Sequence, residues 1–344
     1  MAGTAVFKTV LAPMQDITVR PFMALLASER YGAPDCFVTE FLRVHSTSGI
    51  DEDIVETLCD EPPLGVPIVL QLIGEDIEAL LRVAGEALTA FPRTVGIDLN
   101  MGCPAPKVYK KAVGGGLLKD LPHAFEILRE LRTLCNDFGK KLSVKCRLGF
   151  ENTDALPRLL DGLCGIGLDE VTIHGRTVRG LYRDPVDYKS IALAARVLGE
   201  AGVPVIANGD ISSAEKAREI VGETGCAGVM CGRHAIRNPW IFRQMRDEKC
   251  IPTFSDLFDY IVDLEAVVKR EGDSRERVAA RMKKYLNFVG TGIDADGKFL
   301  YGMRRSRTPE EIFEIAQKFC LGDRAELPFP REAYAGVIAR PNCE

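Results

Sequence analysis

Thr94-Val95-Gly96-Ile97 leads into Asp98-Leu99-Asn100-Met101-Gly102-Cys103-Pro104-Ala105-Pro106-Lys107. The first four residues have the apolar, β-rich character of a short buried strand. Gly102 and Pro104 stop regular structure and force a loop. Cys103 is therefore held at the C-terminal end of a strand. Most cysteines of this chain read as small buried apolar residues. Cys103 differs, because Asn100, Lys107, Lys110 and Lys111 make its neighbourhood polar and basic. The run Gly114 to Gly116 that follows suits a mobile or closely packed loop.

The same arrangement of an apolar strand, a polar end and a helix recurs along the chain. Strands are expected at Thr9–Ala12, Cys36–Thr39, Pro67–Leu72, the run before Cys103, Leu142–Arg147, Glu170–Gly175, Val203–Gly209 and Ala227–Gly232. Amphipathic segments such as Ile77–Ala90, Ala124–Asn136 and Ala214–Val221 lie between them, the last with Ser212 or Ser213 as N-cap. Eight strand–helix units with nearly apolar strands predict a parallel sheet covered by helices, closing as an α/β (β/α)8 TIM barrel. An open doubly wound sheet would need an early G-x-G-x-x-G turn, and none is present. After Pro252 the pattern changes to helices alone: Leu257–Arg270, Arg275–Val289 and Pro309–Phe319. The expected organisation is a barrel over residues 1–250, a small all-helical domain over 251–322, and a tail over 323–344. Pro328, Pro330 and Pro341 suggest that the tail lies on the surface.

The totals narrow the function. In 344 residues the formal net charge is −5, so the molecule is not a generic polyanion binder, and any nucleic-acid surface is a local patch. Eleven scattered cysteines without a C-x-x-C pair argue for reduced thiols in a cytoplasmic protein, and against a disulfide framework or a structural metal site. Met1-Ala2-Gly3-Thr4 does not open a signal peptide, and no stretch approaches the ~20 apolar residues of a membrane span.

Active sites of closed barrels lie at the C-terminal ends of the strands. There the unusual polar residues of this chain collect: Gln71, Asn100, Cys103, Lys145, Arg147, His174, Asn208, Asp210 and Arg233. One such residue is usually a hydrogen-bonded structural group; a set at six strand ends points to a functional pocket. Asn208-Gly209-Asp210 and Gly232-Arg233 follow the seventh and eighth strands, where such barrels commonly bind phosphate. A buried Lys145 needs a partner, and an anionic cofactor would supply one.

As a set these motifs resemble the tRNA-dihydrouridine synthases. The resemblance rests on Leu11-Ala12-Pro13-Met14, Thr39-Glu40-Phe41, Gln71-Leu72-Ile73-Gly74, Asn100-Met101-Gly102-Cys103-Pro104 and Val144-Lys145-Cys146-Arg147. It continues through His174-Gly175-Arg176-Thr177, Ala207-Asn208-Gly209-Asp210 and Gly232-Arg233 with Asn238-Pro239-Trp240. The segments Thr39–Val44 and Gly114–Asp120 look most like the bacterial C-type branch, associated with uridine 16 of the D-loop. Asp16, Cys231 and His234 depart from the family's usual residues.

The resemblance implies an FMN-dependent oxidoreductase. Pro13, Met14, Gln71, Lys145, His174, Asn208, Gly209, Asp210, Gly232 and Arg233 would hold FMN. NADPH would reduce the flavin, hydride would pass to C6 of a D-loop uridine in transfer RNA, and Cys103 would protonate C5. An ordinary thiol is mostly protonated near neutral pH, so its role is that of an acid. Asn100 would orient the uracil, and the target base must leave the folded tRNA. Arg176, Arg281, Lys283 and Lys284 are the expected tRNA contacts, within a region from Arg275 to Arg307 that carries nine Lys/Arg against three acids. Tyr182 or Tyr285 would stack or pack. A monomer is the default. Two alternatives stay open: an FMN-dependent small-molecule dehydrogenase of the dihydroorotate type, and a non-enzymatic RNA-binding protein.

Overall fold

A computed structural model describes residues 7–61 and 63–339. Its nine strands are β1 (Lys8–Leu11), β2 (Cys36–Val38), β3 (Leu42–Arg43), β4 (Ile68–Ile73), β5 (Gly96–Met101), β6 (Lys141–Arg147), β7 (Glu170–His174), β8 (Val205–Asn208) and β9 (Gly228–Cys231). All pairings among these strands are parallel. β1 pairs with both β2 and β9, and β2 pairs with β4, which closes the ring. β3 also pairs with β4, so β2 and β3 are one stave interrupted at Thr39–Phe41. The closed eight-stave barrel with surrounding helices is the TIM barrel that the eight units predict.

The strand before Cys103 starts at Gly96 and runs on through Met101, further than its apolar run Thr94–Ile97 suggested. The reason is its two-residue period. Ile97, Leu99 and Met101 point outward into the helices, whereas Asp98 and Asn100 point into the barrel. Gly102 and Pro104 end the strand as expected. The Gly114–Lys119 stretch is a buried 3-10 helix packed tightly on the Cys103 loop. A Cβ at Gly115 would sit 2.8 Å from the Cys103 carbonyl oxygen, and Gly114 has φ +59°. This is close packing, one of the two readings the glycine run allowed.

Local signals set the helix starts. Asp76, Asp120, Asp187 and Ser213 each accept a backbone N–H at the N-terminus of the helix that follows. Ser213, not Ser212, caps Ala214–Thr224. Asp120 with Pro122 starts its helix at Leu121, three residues before the apolar periodicity becomes evident.

Beyond the barrel, Phe254–Val268, Arg275–Val289, Lys298–Arg305 and Pro309–Cys320 form an all-helical C-terminal region. Lys298–Arg305 is a helix that sequence pattern alone did not reveal. The first of the four begins with a capping box between Thr253 and Asp256. Tyr285 packs: its ring stacks on Phe22 with centroids 4.9 Å apart, and its hydroxyl donates to the Ile17 carbonyl at 2.9 Å. The segment after Leu321 does more than cover the surface. Phe329 is buried against Trp240 and Phe254, and Arg237 donates to the carbonyls of Pro330, Arg331 and Glu332. Pro341 lies outside the described residues. No helix among the described residues is long and apolar enough to cross a membrane.

Candidate active site

The C-terminal ends of the strands open on a cleft of about 530 Å³. Of the residues singled out from sequence, Pro13, Met14, Asn100, Cys103, Lys145, His174, Asn208, Gly209, Asp210, Gly232 and Arg233 line it. Gln71 does not. It is completely buried one layer below, with its amide engaged between Asp98 and Asn100.

Cys103 is part-exposed on the cleft wall, and its backbone is fastened on every side. Asn100 Oδ1 accepts from the N–H groups of Gly102 and Cys103 at 3.1 and 3.0 Å. The Cys103 carbonyl accepts from Gly115 N–H at 3.2 Å. Arg147 Nε donates to the Gly102 carbonyl at 3.0 Å, while its Nη1 donates to Thr177 and Leu181 in the loop after β7. The other strand-end cysteines are different. Burial pushes the Cys146 and Cys231 thiols up to about 12, so they stay neutral core groups.

Lys145 faces the same cleft. Among the described residues it makes no hydrogen bond or ion pair. Burial, reinforced by Arg147, brings its ammonium down to about 8 against partial support from Asp98. His174 is buried and held neutral, chiefly by burial and then by the surrounding cations Arg147, Lys145, Arg176 and Arg233. Among the described residues its Nδ1 has no hydrogen-bond partner. A half-buried cation and an orphaned imidazole nitrogen on one wall suit a polar, anionic, ring-bearing group.

At the far end, Gly209 adopts φ +119°, and a Cβ at Gly232 would meet Met14 and Ala12 at 3.2 and 3.3 Å. Backbone can approach a ligand closely at both places. Asp210 takes a bidentate pair from Arg176 at 2.6 and 3.1 Å and a longer contact from Arg233 at 3.4 Å. Burial would raise its carboxyl, but the Arg176 hydrogen bonds and the two guanidinium charges outweigh burial and hold it below the ordinary range. Two arginines against one carboxylate leave this end positive. The donor set fits a phosphate-tailed flavin such as FMN. A second cavity, about 540 Å³, continues past Arg233 beneath Ala333 and Val337–Ala339.

Tyr182 is 40% exposed at the cleft edge, with the Arg233 guanidinium 4.5 Å and that of Arg147 5.5 Å from its ring centroid. Of the two tyrosines, it is the one free to stack. The departures from the family pattern are accommodated. Asp16 has φ +60°, a backbone position suited to glycine. Cys231 donates its thiol to the Ile211 carbonyl, and His234 is brought down to about 4 by burial and by Arg233 and Arg237.

The expected tRNA contacts are not all at the surface. Arg176 is only 5% exposed in its pair with Asp210. Arg281 is tied to Asp273, and Lys283 donates to the carbonyls of Arg304 and Ser306. Among the described residues Lys284 makes no hydrogen bond or ion pair. Lys107, on the short helix Pro106–Tyr109, and Lys110, Lys111, Arg179 and Arg183, on loops, are exposed beside the cleft. Sequence reading did not single out Asp98 or Phe288, which reaches the cleft from the helical region. Only Asp98 had a signal, two residues before Asn100 in a strand.

A family model described as dihydrouridine synthase matches residues 10–285. A Helicobacter pylori protein named probable tRNA-dihydrouridine synthase is 37% identical over 94% of this chain and 89% of its own length. A Haemophilus influenzae tRNA-dihydrouridine(16) synthase is 29% identical over 89% of this chain and 97% of its own. Among solved structures, histamine dehydrogenase from Rhizobium sp. 4-9 superposes with a TM-score of 0.52 at 11% identity, covering 76% of this chain and 50% of that one, which is a likeness of fold alone.

Proposed function

The chain belongs to the dihydrouridine synthase family, and on that premise we propose that it is an FMN-dependent tRNA-dihydrouridine synthase. The substrate is a D-loop uridine. Position 16 is favoured by the full-length alignment with the relative named for that position. One observation carries the reading: a fastened, part-exposed Cys103 shares a cleft with a half-buried cation and a neutral orphaned imidazole.

Lys145 and His174 would hold the flavin ring, with Pro13, Met14 and Asn208 around it. Gly209, Gly232 and Arg233 would take the ribityl phosphate, while Asp210 orients the arginines. When bound, FMN would supply the hydride for C6 of uracil, with NADPH as the source of reducing equivalents. Addition at C6 leaves an enolate-like anion. The Cys103 Sγ–H donates the proton to C5. The Lys145 ammonium stabilises negative charge within the cleft. Asn100 uses its Oδ1 on backbone and one Nδ2 hydrogen on Gln71, which leaves one donor for a uracil carbonyl. Barrel residues 1–250 carry this chemistry. The helical part from 251 to 322 and the exposed cations around the cleft mouth dock the RNA, and residues 323–339 strap the two together.

The test is dihydrouridine mapping in tRNA from cells with and without this gene, paired with flavin release from the purified protein. Loss of dihydrouridine at position 16 alone supports the whole reading. Loss at another D-loop position corrects the target. No loss, together with reduction of free pyrimidines by the purified protein, would favour the small-molecule dehydrogenase.

A further inference from the structure

The barrel interior between β4 and β6 contains a chain of hydrogen bonds whose direction is fixed at both ends, by a carboxylate that accepts at one and by backbone N–H groups that donate at the other. An ionised carboxylate only accepts. Asp98 Oδ1 accepts from Ser143 Oγ at 2.7 Å, and Oδ2 accepts from Gln71 Nε2 at 2.7 Å. Gln71 must therefore turn its Oε1 the other way, where it accepts from Asn100 Nδ2 at 2.8 Å. Asn100 is then fixed with Oδ1 toward the Gly102 and Cys103 N–H groups, and it accepts both. Reversing any one link would set donor against donor or acceptor against acceptor. Gln71, Asp98 and Asn100 are all buried, so such a mismatch is costly. The carbonyls of Gly102 and Cys103 have their own anchors in Arg147 and Gly115. Among the described residues their N–H groups have only Asn100. Asp98 itself lies below the cleft and does not line it.

We propose that Asp98 is a positioning residue for Cys103: its carboxylate orients the Gln71–Asn100 amide chain and so holds the backbone that presents the thiol. The inference rests on the reading of Cys103 as the proton donor. Asp98 acts without touching substrate. Asn at this position can keep the chain by accepting from Gln71 and donating to Ser143, but a neutral amide oxygen holds Gln71 less strongly than a carboxylate does. Alanine leaves the Gln71 amide without an acceptor.

The experiment uses the flavin-loaded Asp98→Ala and Asp98→Asn enzymes. Amide hydrogen exchange is resolved to the segment containing Gly102 and Cys103, alongside kcat and KM for tRNA. For Asp98→Ala, exchange at these two amides should rise about tenfold, the equivalent of one weakened hydrogen bond, with other barrel strands unchanged. The kcat should fall about 100-fold with KM for tRNA within about twofold, as expected of a misplaced reacting group. Asp98→Asn should show smaller changes of the same kind, and it carries the test if the alanine variant fails to fold. Wild-type exchange at Gly102 and Cys103 in the folded variants overturns the proposal, whatever the activity. So does a loss of protection spread evenly over the barrel. If exchange rises as expected while Cys103→Ala keeps full activity, the link from Asp98 to the loop stands and the proton-donor reading fails.

Discussion

The two sides of the barrel interior are built from opposite materials. On the side of β1, β2, β8 and β9 the inward positions Val10, Ala12, Cys36, Val38, Ile206 and Met230, joined by Val69, form an apolar cluster, and Asn208 at the cleft end of β8 is the polar exception. On the side of β4 to β7 they are Gln71, Asp98, Asn100, Ser143, Lys145, Thr172 and His174. The strands and their period are the same, so the fold does not require the polar side. That side is also unfavourable for folding. Burial lifts the Asp98 carboxyl to about 6, against the Ser143 and Gln71 hydrogen bonds and the nearby Lys145 that favour its charge. From pH 3.8 to about 6 the folded chain holds a proton that the unfolded chain has lost, so stability falls as pH rises through that window. For Lys145 the folded value is about 8 against an ordinary 10.5, so stability rises with pH between the two. Near pH 7 both charges sit in the barrel at a cost. The polar side is kept for chemistry, and the apolar side supplies ordinary core packing.

The largest expected effect falls on the polar side. Cys103→Ala should lower dihydrouridine formation by roughly 10²- to 10⁴-fold while retaining flavin absorbance and tRNA binding. Full activity would break the contrast between a reactive cysteine and its buried counterparts. Lys145→Met should cost about 10²-fold in rate. In the flavin-free wild type, flavin affinity should decline as pH rises through about 8, where Lys145 loses its charge, and the Met variant should lack that limb. An identical profile in both proteins would remove Lys145 from flavin binding.

A smaller contrast separates two neighbouring lysines of the helical region. Lys284→Glu should weaken tRNA binding several-fold and lower the salt slope by about 1, with no loss of stability. Lys283→Glu should lower the melting temperature instead, because its ammonium ties down the carbonyls of Arg304 and Ser306. Equal effects in a melting and a binding assay would show that the two positions are not distinguished as the structure indicates. The smallest effect belongs to the apolar side. Ile206→Val should cost about 0.5–1.5 kcal/mol of stability and leave kcat within about twofold. A tenfold loss of kcat there would mean that the apolar side also shapes the site.

Much of this organisation was legible in the residues. Apolar runs ending in Asn100, Lys145, His174 and Asn208 identify strands whose C-terminal ends carry chemistry, because hydrophobic periodicity and glycine or proline stops act over a few residues. The helix Arg275–Val289 was readable to its bounds for the same reason. Charge was less legible. Nine cations between Arg275 and Arg307 suggest an RNA face, yet Arg275, Arg281 and Lys283 hold carboxylates or carbonyls of their own region. A sequence counts charges but does not show which are already paired across long separations. Arg176 illustrates the point: its carboxylate partner is Asp210, 34 residues away on the next strand's loop.

The sequence by itself determined the number of strand–helix units, the closed parallel barrel, the placement of Cys103 at a strand end and the family resemblance. Each follows from local pattern and spacing. Only the tertiary structure decided that Gln71 lies beneath the cleft, that Asp98 sets the direction of a chain ending at Cys103, and that Phe329 locks the C-terminal segment against the barrel. Those arrangements depend on which inward side chains meet across neighbouring strands. That is fixed by register and closure, which no single stretch of residues contains.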